Sequence, residues 1–142
     1  MSDRILFHLD DELVEAHPGE TIWQVANRLG TEIPHLCYAD EPGYRADGNC
    51  RACMVEVDGE RAMSASCVRH PTPGMRVRSA SENAKFARKM VIEMLVADQP
   101  KREEAHDPDS KFWRWADRLE VSDSRFPSRE HAPKPDFSHP AM

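Results

Sequence analysis

The four cysteines of this chain, Cys37, Cys50, Cys53 and Cys67, all fall within 31 residues of one another, in the spacing Cys37-x12-Cys50-x2-Cys53-x13-Cys67. No other feature restricts the fold as much, because whatever occupies these thiols has to be reached by one loop and by the hairpin that follows it. Four readings compete: small buried hydrophobes, disulfides, a zinc site and an iron-sulfur cluster. Single buried cysteines are common, but the gathering of all four in one region points to metal or redox chemistry rather than packing.

Compartment and charge narrow the choice. The opening residues, MSDRILFHLD, lack the basic start and apolar run of a secretory signal, and no segment nears the roughly 18 apolar residues of a membrane span. A cytoplasmic location is therefore expected, where disulfide frameworks are rare. The formal charge of -6 comes without the basic patch that replaces phosphate counterions, so neither nucleic-acid binding nor membrane insertion is expected.

The pattern along the chain predicts where the thiols sit. Ile5, Phe7 and Leu9 alternate onto one side of a strand, Asp10-Asp11 turns the chain, and Leu13 to Ala16 returns beside it. In PGETIWQVANRLG, Thr21 and Gln24 form a capping box, Ile22, Val25, Ala26 and Leu29 share one helical face, and Gly30 ends it. From Thr31 to Asn49 periodicity disappears; Pro34, Pro42, Gly43 and Gly48 punctuate a long loop, and loops of that length have a task or something to fold around. Ala52 to Val57 reads as a strand, Asp58-Gly59 as a two-residue hairpin turn into Arg61 to Ser64, and Met75 and Val77 as one side of a further short strand.

Ser79 with Glu82 then predicts the cap of a helix of roughly four turns that sets Ala87, Met90, Val91, Met94 and Leu95 on one face and stops before Pro100. Beyond it Arg102 to Glu104 reads as solvated, SKFWRWADRLEV as a short amphipathic helix uniting Phe112, Trp115, Ala116 and Leu119, and Ser122 to Met142, with four prolines, as an extended tail. The expected class is α+β: a β-grasp mixed sheet with one helix packed across it, followed by a second helix and an extended C-terminal tail. The expected boundaries are 1–79 for the sheet domain, 80–99 for the following helix, and 100–142 for the polar linker, short helix and Pro-rich tail.

Zinc ribbons present two C-x2-C knuckles, whereas here only Cys50 and Cys53 form one. Two lone cysteines at wide gaps suit a [2Fe-2S] cluster, whose four thiolate corners spread further than a single ion needs: one ligand from the start of a loop, two from its end and a fourth from the far side of a hairpin. Zinc remains the competing reading. Gly48 lets the backbone approach closely, although an ordinary turn accounts for it as well, and the amides of Gly48, Asn49, Arg51 and Ala52 are candidates to point at the cluster sulfurs. His35 and His70 read as loop residues, since four cysteines make a histidine ligand unnecessary, and Trp23, Trp113 and Trp115 read as packing groups. No nucleophile elbow, phosphate loop or catalytic carboxylate pair occurs, so no catalytic residue is assigned.

IPHLCY, GNCRACMVEVDG and SCVRHPTPGMRV, in this order and with these gaps, resemble the N-terminal [2Fe-2S] ferredoxin-like domain shared by the large iron-sulfur subunit of NADH:quinone oxidoreductase and the alpha subunits of NAD-dependent molybdenum or tungsten formate dehydrogenases. The resemblance covers roughly residues 3 to 97, and VADQPKREEAHDPDSKFWRWADRL with the closing SHPAM extends it toward the formate dehydrogenases. It implies one [2Fe-2S] cluster in a β-grasp fold, with Cys37 and Cys50 on one iron and Cys53 and Cys67 on the other. It also implies partners: the 4Fe-4S and pterin domains of a formate dehydrogenase alpha subunit and flavin subunits that reduce NAD. A complex I or NAD-reducing hydrogenase assembly is the other owner it allows. Complex I members carry a His-and-Cys segment for a further [4Fe-4S] cluster after the second helix; beyond Pro100 this sequence has no cysteine, so that site is not carried over. A chain of this kind is expected to carry electrons as a fragment or separate subunit and not to oxidise formate itself.

Overall fold

In the computed structural model, which describes residues 4–129 and Ser138, Asp10 and Asp11 take left-handed backbone angles, φ 51° and 69°. Two consecutive residues of that kind make the tight turn that matches strand twist, and they pair β1 (Ile5–Leu9) with β2 (Glu12–Ala16) from Leu9↔Glu12 to Ile5↔Ala16. β3 (Met54–Val57), β4 (Ser64–Ala65) and β5 (Arg76–Arg78) complete a five-stranded sheet in the order β2-β1-β5-β3-β4. β5 runs parallel to β1 and antiparallel to β3. The first and last strands thus lie side by side at the centre of a mixed sheet, the β-grasp arrangement of an α+β ferredoxin-like fold.

α1 (Ile22–Arg28) has the expected capping box: the Gln24 amide donates to the Thr21 hydroxyl and the Thr21 amide to Gln24 Oε1. Ile22, Val25 and Ala26 are fully buried with Phe7, Val55 and Val77, so the helix stripe and the alternating strand positions make one core. Burying each large apolar side chain contributes about 1.5–3 kcal/mol. Leu29, expected on the same stripe, is instead the C-cap and is half exposed, because Gly30 at φ 84° has already turned the chain away.

The chain divides into two compact units, Met1–Ile92 and Glu93–Met142. Within the first, three expectations are corrected. The turn at Asp58-Gly59 forms, with the Glu60 amide on the Val57 carbonyl, but the pairing is Val55↔Ser64 and Met54↔Ala65 rather than a two-residue hairpin into Arg61 to Ser64. The Glu60 carboxylate is engaged by the Arg69 guanidinium and the Ser64 hydroxyl, which draws residues 60–63 into a wider loop. Ser79 does not cap α2 (Glu82–Asp98): its amide and hydroxyl bind the Asp10 carboxylate, at 2.7 and 2.5 Å, and the Ser81 hydroxyl accepts from the Ala84 amide instead. The buried line of α2 is Ala84, Arg88 and Ile92, while Ala87, Met90 and Val91, expected to be buried, are only half covered. A charged residue in the covered line hides that line from a search for apolar periodicity.

In the second unit, Met94 is half exposed and Leu95 partly covered. Arg102 opens a single 3-10 turn (Arg102–Glu104), and its guanidinium forks onto both Asp117 oxygens at 2.6 and 3.1 Å and reaches the Pro108 carbonyl at 2.8 Å. Glu103 and Glu104 are exposed, as the sequence leads one to expect, while the Arg102 guanidinium is part covered and lies 5.5 Å from the Trp113 ring centre. α3 (Lys111–Arg118) forms, but its buried residues are Trp113, Trp115 and Ala116, with Phe112 and Leu119 only part covered. Residues 122–129 form neither helix nor strand. The rest of the expected tail, 130–137 and 139–142 with most of SHPAM, lies outside the described residues. Among the described residues no helix is long and apolar enough to cross a membrane.

Candidate metal centre

Trp23 organises the loop that carries the first cysteine. Its indole N–H donates to the Ile33 carbonyl at 3.0 Å, and its ring meets His35 and Tyr38 edge to face at 4.6 and 5.1 Å. The Tyr38 hydroxyl accepts from Gln24 Nε2 at 3.1 Å and donates to Asp40 at 2.9 Å. α1 therefore holds the chain on both sides of Cys37. The same helix reaches the last cysteine: the amides of Ile22 and Trp23, which have no partner inside the helix, donate to the Arg69 and Ser66 carbonyls at 2.9 Å each, on either side of Cys67.

The middle pair is set by two left-handed residues, Gly48 at φ 66° and Arg51 at φ 60°. Gly48 is required on two counts, since a Cβ there would lie 3.2 Å from Cγ2 of Val68. Ala52, fully buried, leads into β3 directly behind Cys53. Ser66, also fully buried, sends its amide and hydroxyl to the Cys53 carbonyl at 3.2 and 2.7 Å, clamping the Cys67 segment to the Cys53 segment.

The four expected ligand residues are thus brought together, and they meet in two pairs. Cys37 and Cys50 are half-buried, and the amide of each donates to the sulfur of the other at 3.4 Å. The Ala52 amide also donates to Cys50 Sγ at 3.4 Å. Cys53 and Cys67 are both 1 % exposed, on segments that Ser66 clamps together. Burial pushes the Cys50 thiol up. The neighbouring Cys67 thiol above all holds Cys53 down at about 6, while Cys53 and burial drive Cys67 upward.

Of the expected backbone donors, Ala52 reaches a sulfur; Gly48 is buried beneath Val68, and Asn49 and Arg51 are exposed. His35 packs on Trp23 and His70 lies with Nδ1 3.1 Å from the Glu20 carbonyl, as loop residues. Sequence reasoning did not single out Ser66, whose role depends on a fold-dependent neighbour, or Arg88. Arg88 is 6 % exposed on α2, bonds the Met54 carbonyl at 3.4 Å, and feels the negative charges of Asp10 and Cys53.

Residues 2–82 match the family described as a 2Fe-2S iron-sulfur cluster binding domain, a span that includes all four cysteines. The chain belongs to this family. Among relatives of this [2Fe-2S] domain are subunits G of NADH-quinone oxidoreductase from Rickettsia felis, 33 % identical over 96 residues, and Rickettsia bellii, 34 % identical over 92 residues. These alignments cover 68 % and 65 % of this chain but 14 % and 13 % of the relatives, so the chain spans about one seventh of their length. A crystal structure of NAD+-reducing [NiFe]-hydrogenase in the H2-reduced state superposes with a TM-score of 0.81 at 33 % identity, covering 96 % of this chain and 57 % of the other. The domain binds a [2Fe-2S] cluster and is related to proteins that work as subunits of larger oxidoreductases.

Proposed function

We propose that Cys37 and Cys50 hold one iron of the [2Fe-2S] cluster and Cys53 and Cys67 the other, and that the domain relays single electrons inside an NAD-linked oxidoreductase. The observation that supports this most is the grouping of the four thiols two by two: Cys37 and Cys50 joined by reciprocal amide-to-sulfur bonds, and Cys53 and Cys67 buried on segments that Ser66 clamps together. A two-iron cluster needs ligands in pairs, whereas a single tetrahedral zinc needs four around one point. The all-sulfur donor set, with glycine and alanine at the narrow positions, suits the soft, bulky group.

When bound, the cluster supplies a reversible one-electron capacity. The chain's own residues do the rest. The amides of Cys37, Cys50 and Ala52 present partial positive charge to the sulfurs of Cys37 and Cys50 and favour the more negative redox state. Buried Cys53 and Cys67 exclude water on one side, and half-buried Cys37 and Cys50 form the side that a redox partner approaches.

The owner we favour is an NAD-dependent formate dehydrogenase alpha subunit, with electrons passing between a pterin-bound metal that oxidises formate and flavin subunits that reduce NAD. Its support is the sequence from Val96 to Leu119, which resembles those subunits. A second reading, an NAD-reducing hydrogenase or complex I assembly, is favoured by the coverage of 96 % of this chain in the hydrogenase likeness, which takes in most of the segment after Pro100.

The test has two stages. Visible and EPR spectra of the anaerobic chain before and after dithionite, with metal and sulfide analysis, are expected to give about two irons and two sulfides and an S = 1/2 signal; one zinc without sulfide overturns the reading. In the native complex, isolated through a tag on this chain, formate is expected to elicit that signal. A signal elicited by hydrogen and not by formate assigns the second reading.

A further inference from the structure

Arg88 is built in a way that the fold alone does not require. A guanidinium keeps its charge throughout the usual pH range, and burying a charge is costly unless a partner of opposite sign compensates it. Arg88 is 6 % exposed, yet among the described residues it makes no ion pair; its one hydrogen bond runs from Nη1 to the neutral Met54 carbonyl at 3.4 Å, and Nε has no partner. Asp10 attracts it from a distance, but both oxygens of that carboxylate are engaged by the Ser79 amide and hydroxyl. Met54 follows Cys53 in the chain, so this bond ties the guanidinium to the segment that carries the buried thiol, whose charge it feels. The helix is held there by Ala84 and Ile92 on either side in the covered line, and by Asn83 Nδ2 on Glu56 at 3.3 Å.

We infer that Arg88 is a positioning residue for the electrostatics of the cluster site: a fixed, water-shielded cation beside Cys53 that raises the reduction potential. The inference rests on the cluster assignment above. Four thiolates, two sulfides and two ferric ions carry two net negative charges, and accepting one electron adds a third. A cation held in a poorly polarisable surrounding stabilises the added charge more than the state before it. The amide donors act in the same direction, but each as a partial charge, whereas Arg88 contributes a whole one. Together with the more distant Asp10, the same attraction offsets the cost of burying a guanidinium that no carboxylate contacts directly.

The experiment is an EPR-monitored redox titration of the full chain carrying its cluster, for the parent and for Arg88→Met, Arg88→Gln and Arg88→Lys, with iron and sulfide content and the EPR line shape measured on each. The expected result is that Met and Gln keep the cluster and its line shape and shift the midpoint to more negative potential. Lys is expected to restore most of the parent value, and the shift is expected to survive high salt, because a buried charge is weakly screened. Neutral variants that titrate with the parent overturn the inference, as does a Lys variant displaced as far as Met. Failure of both neutral variants to yield folded, cluster-loaded protein also overturns it, by making Arg88 a structural residue. A parent chain with no S = 1/2 signal overturns the cluster assignment itself and the inference with it; a parent with the signal and unshifted variants overturns the inference alone.

Discussion

The amide of Cys37 points at the sulfur of Cys50 and the amide of Cys50 at the sulfur of Cys37, each at 3.4 Å. This reciprocal bond closes the long loop on itself, so two residues far apart in sequence are held together as the proposed sharing of one iron requires. Removing either sulfur takes away a ligand and an acceptor together. Alanine at Cys37, Cys50, Cys53 or Cys67 is therefore expected to abolish the S = 1/2 signal and reduce iron and sulfide to background. Cys50→Ala is expected to perturb the fold most among the half-buried pair, because its sulfur accepts from two amides and that of Cys37 from one. Metal analysis and circular dichroism on the four variants check both statements.

Gly48 offers a test of the narrow wall. At φ 66° an L-residue is strained, and the Cβ would press on Val68 at 3.2 Å. Gly48→Ala is expected to cost about 1–3 kcal/mol in stability. Adding Val68→Ala relieves the contact and leaves the backbone strain, so the double variant is expected to recover part of the loss. A double-mutant cycle from denaturation midpoints measures the two contributions; strict additivity would mean that Val68 does not press on this position.

How far the sequence announced this arrangement depended on how local each cause was. The capping box of Thr21 and Gln24 and the Asp10-Asp11 turn act within a few residues, and both stand where the pattern puts them. The cysteine cluster was legible from spacing alone, and so was the loop that carries it. Ser79 was misread as a helix cap because its partner, Asp10, lies 69 residues away. The covered face of α2 was missed because Arg88 stands in the middle of it, and a charge looks like a solvent position until the group it faces is known. Amide directions near the sulfurs, and the clamp made by Ser66, depend on the meeting of two segments and leave no mark in the order of residues.

Trp23 links the helix to the loop, and its indole N–H bond can be removed with little change in bulk. Trp23→Phe keeps an aromatic ring against His35 and Tyr38 but leaves the buried Ile33 carbonyl without its donor. That costs about 1–3 kcal/mol, and much of it is expected to appear as easier opening of the loop around Cys37. The rate of iron loss to a chelator is therefore expected to rise by a factor of roughly 5–30, the range that one to two kcal/mol produces. Absorbance in the presence of excess chelator follows the loss directly. An unchanged rate would mean that the loop opens independently of the tryptophan.

Glu20 sets a pH dependence outside the cysteine site. Its carboxylate is gripped by Arg28 Nε and Nη2 at 2.9 and 2.8 Å and accepts the His17 amide at 2.8 Å, and the Arg28 bonds above all hold it below the usual carboxylate range. A depressed folded value means that the folded chain binds the proton less readily than the unfolded one. The stabilisation is then complete above the unfolded value of about 4.3 and is lost as pH falls below it, through the folded value. The Glu20 side chain is 17 % exposed and that of Arg28 34 %, so solvent screens the pair and its worth is about 1 kcal/mol. Glu20→Gln is expected to be less stable than the parent by about that amount at pH 7, and the gap is expected to close as pH falls below the unfolded value of about 4.3. Because acid acts on the cluster in parent and variant alike, the difference between their denaturation midpoints across pH isolates the carboxylate. Arg28→Lys, which keeps the charge but loses the fork and the bond to the Glu15 carbonyl, is expected to recover only part of the parent stability.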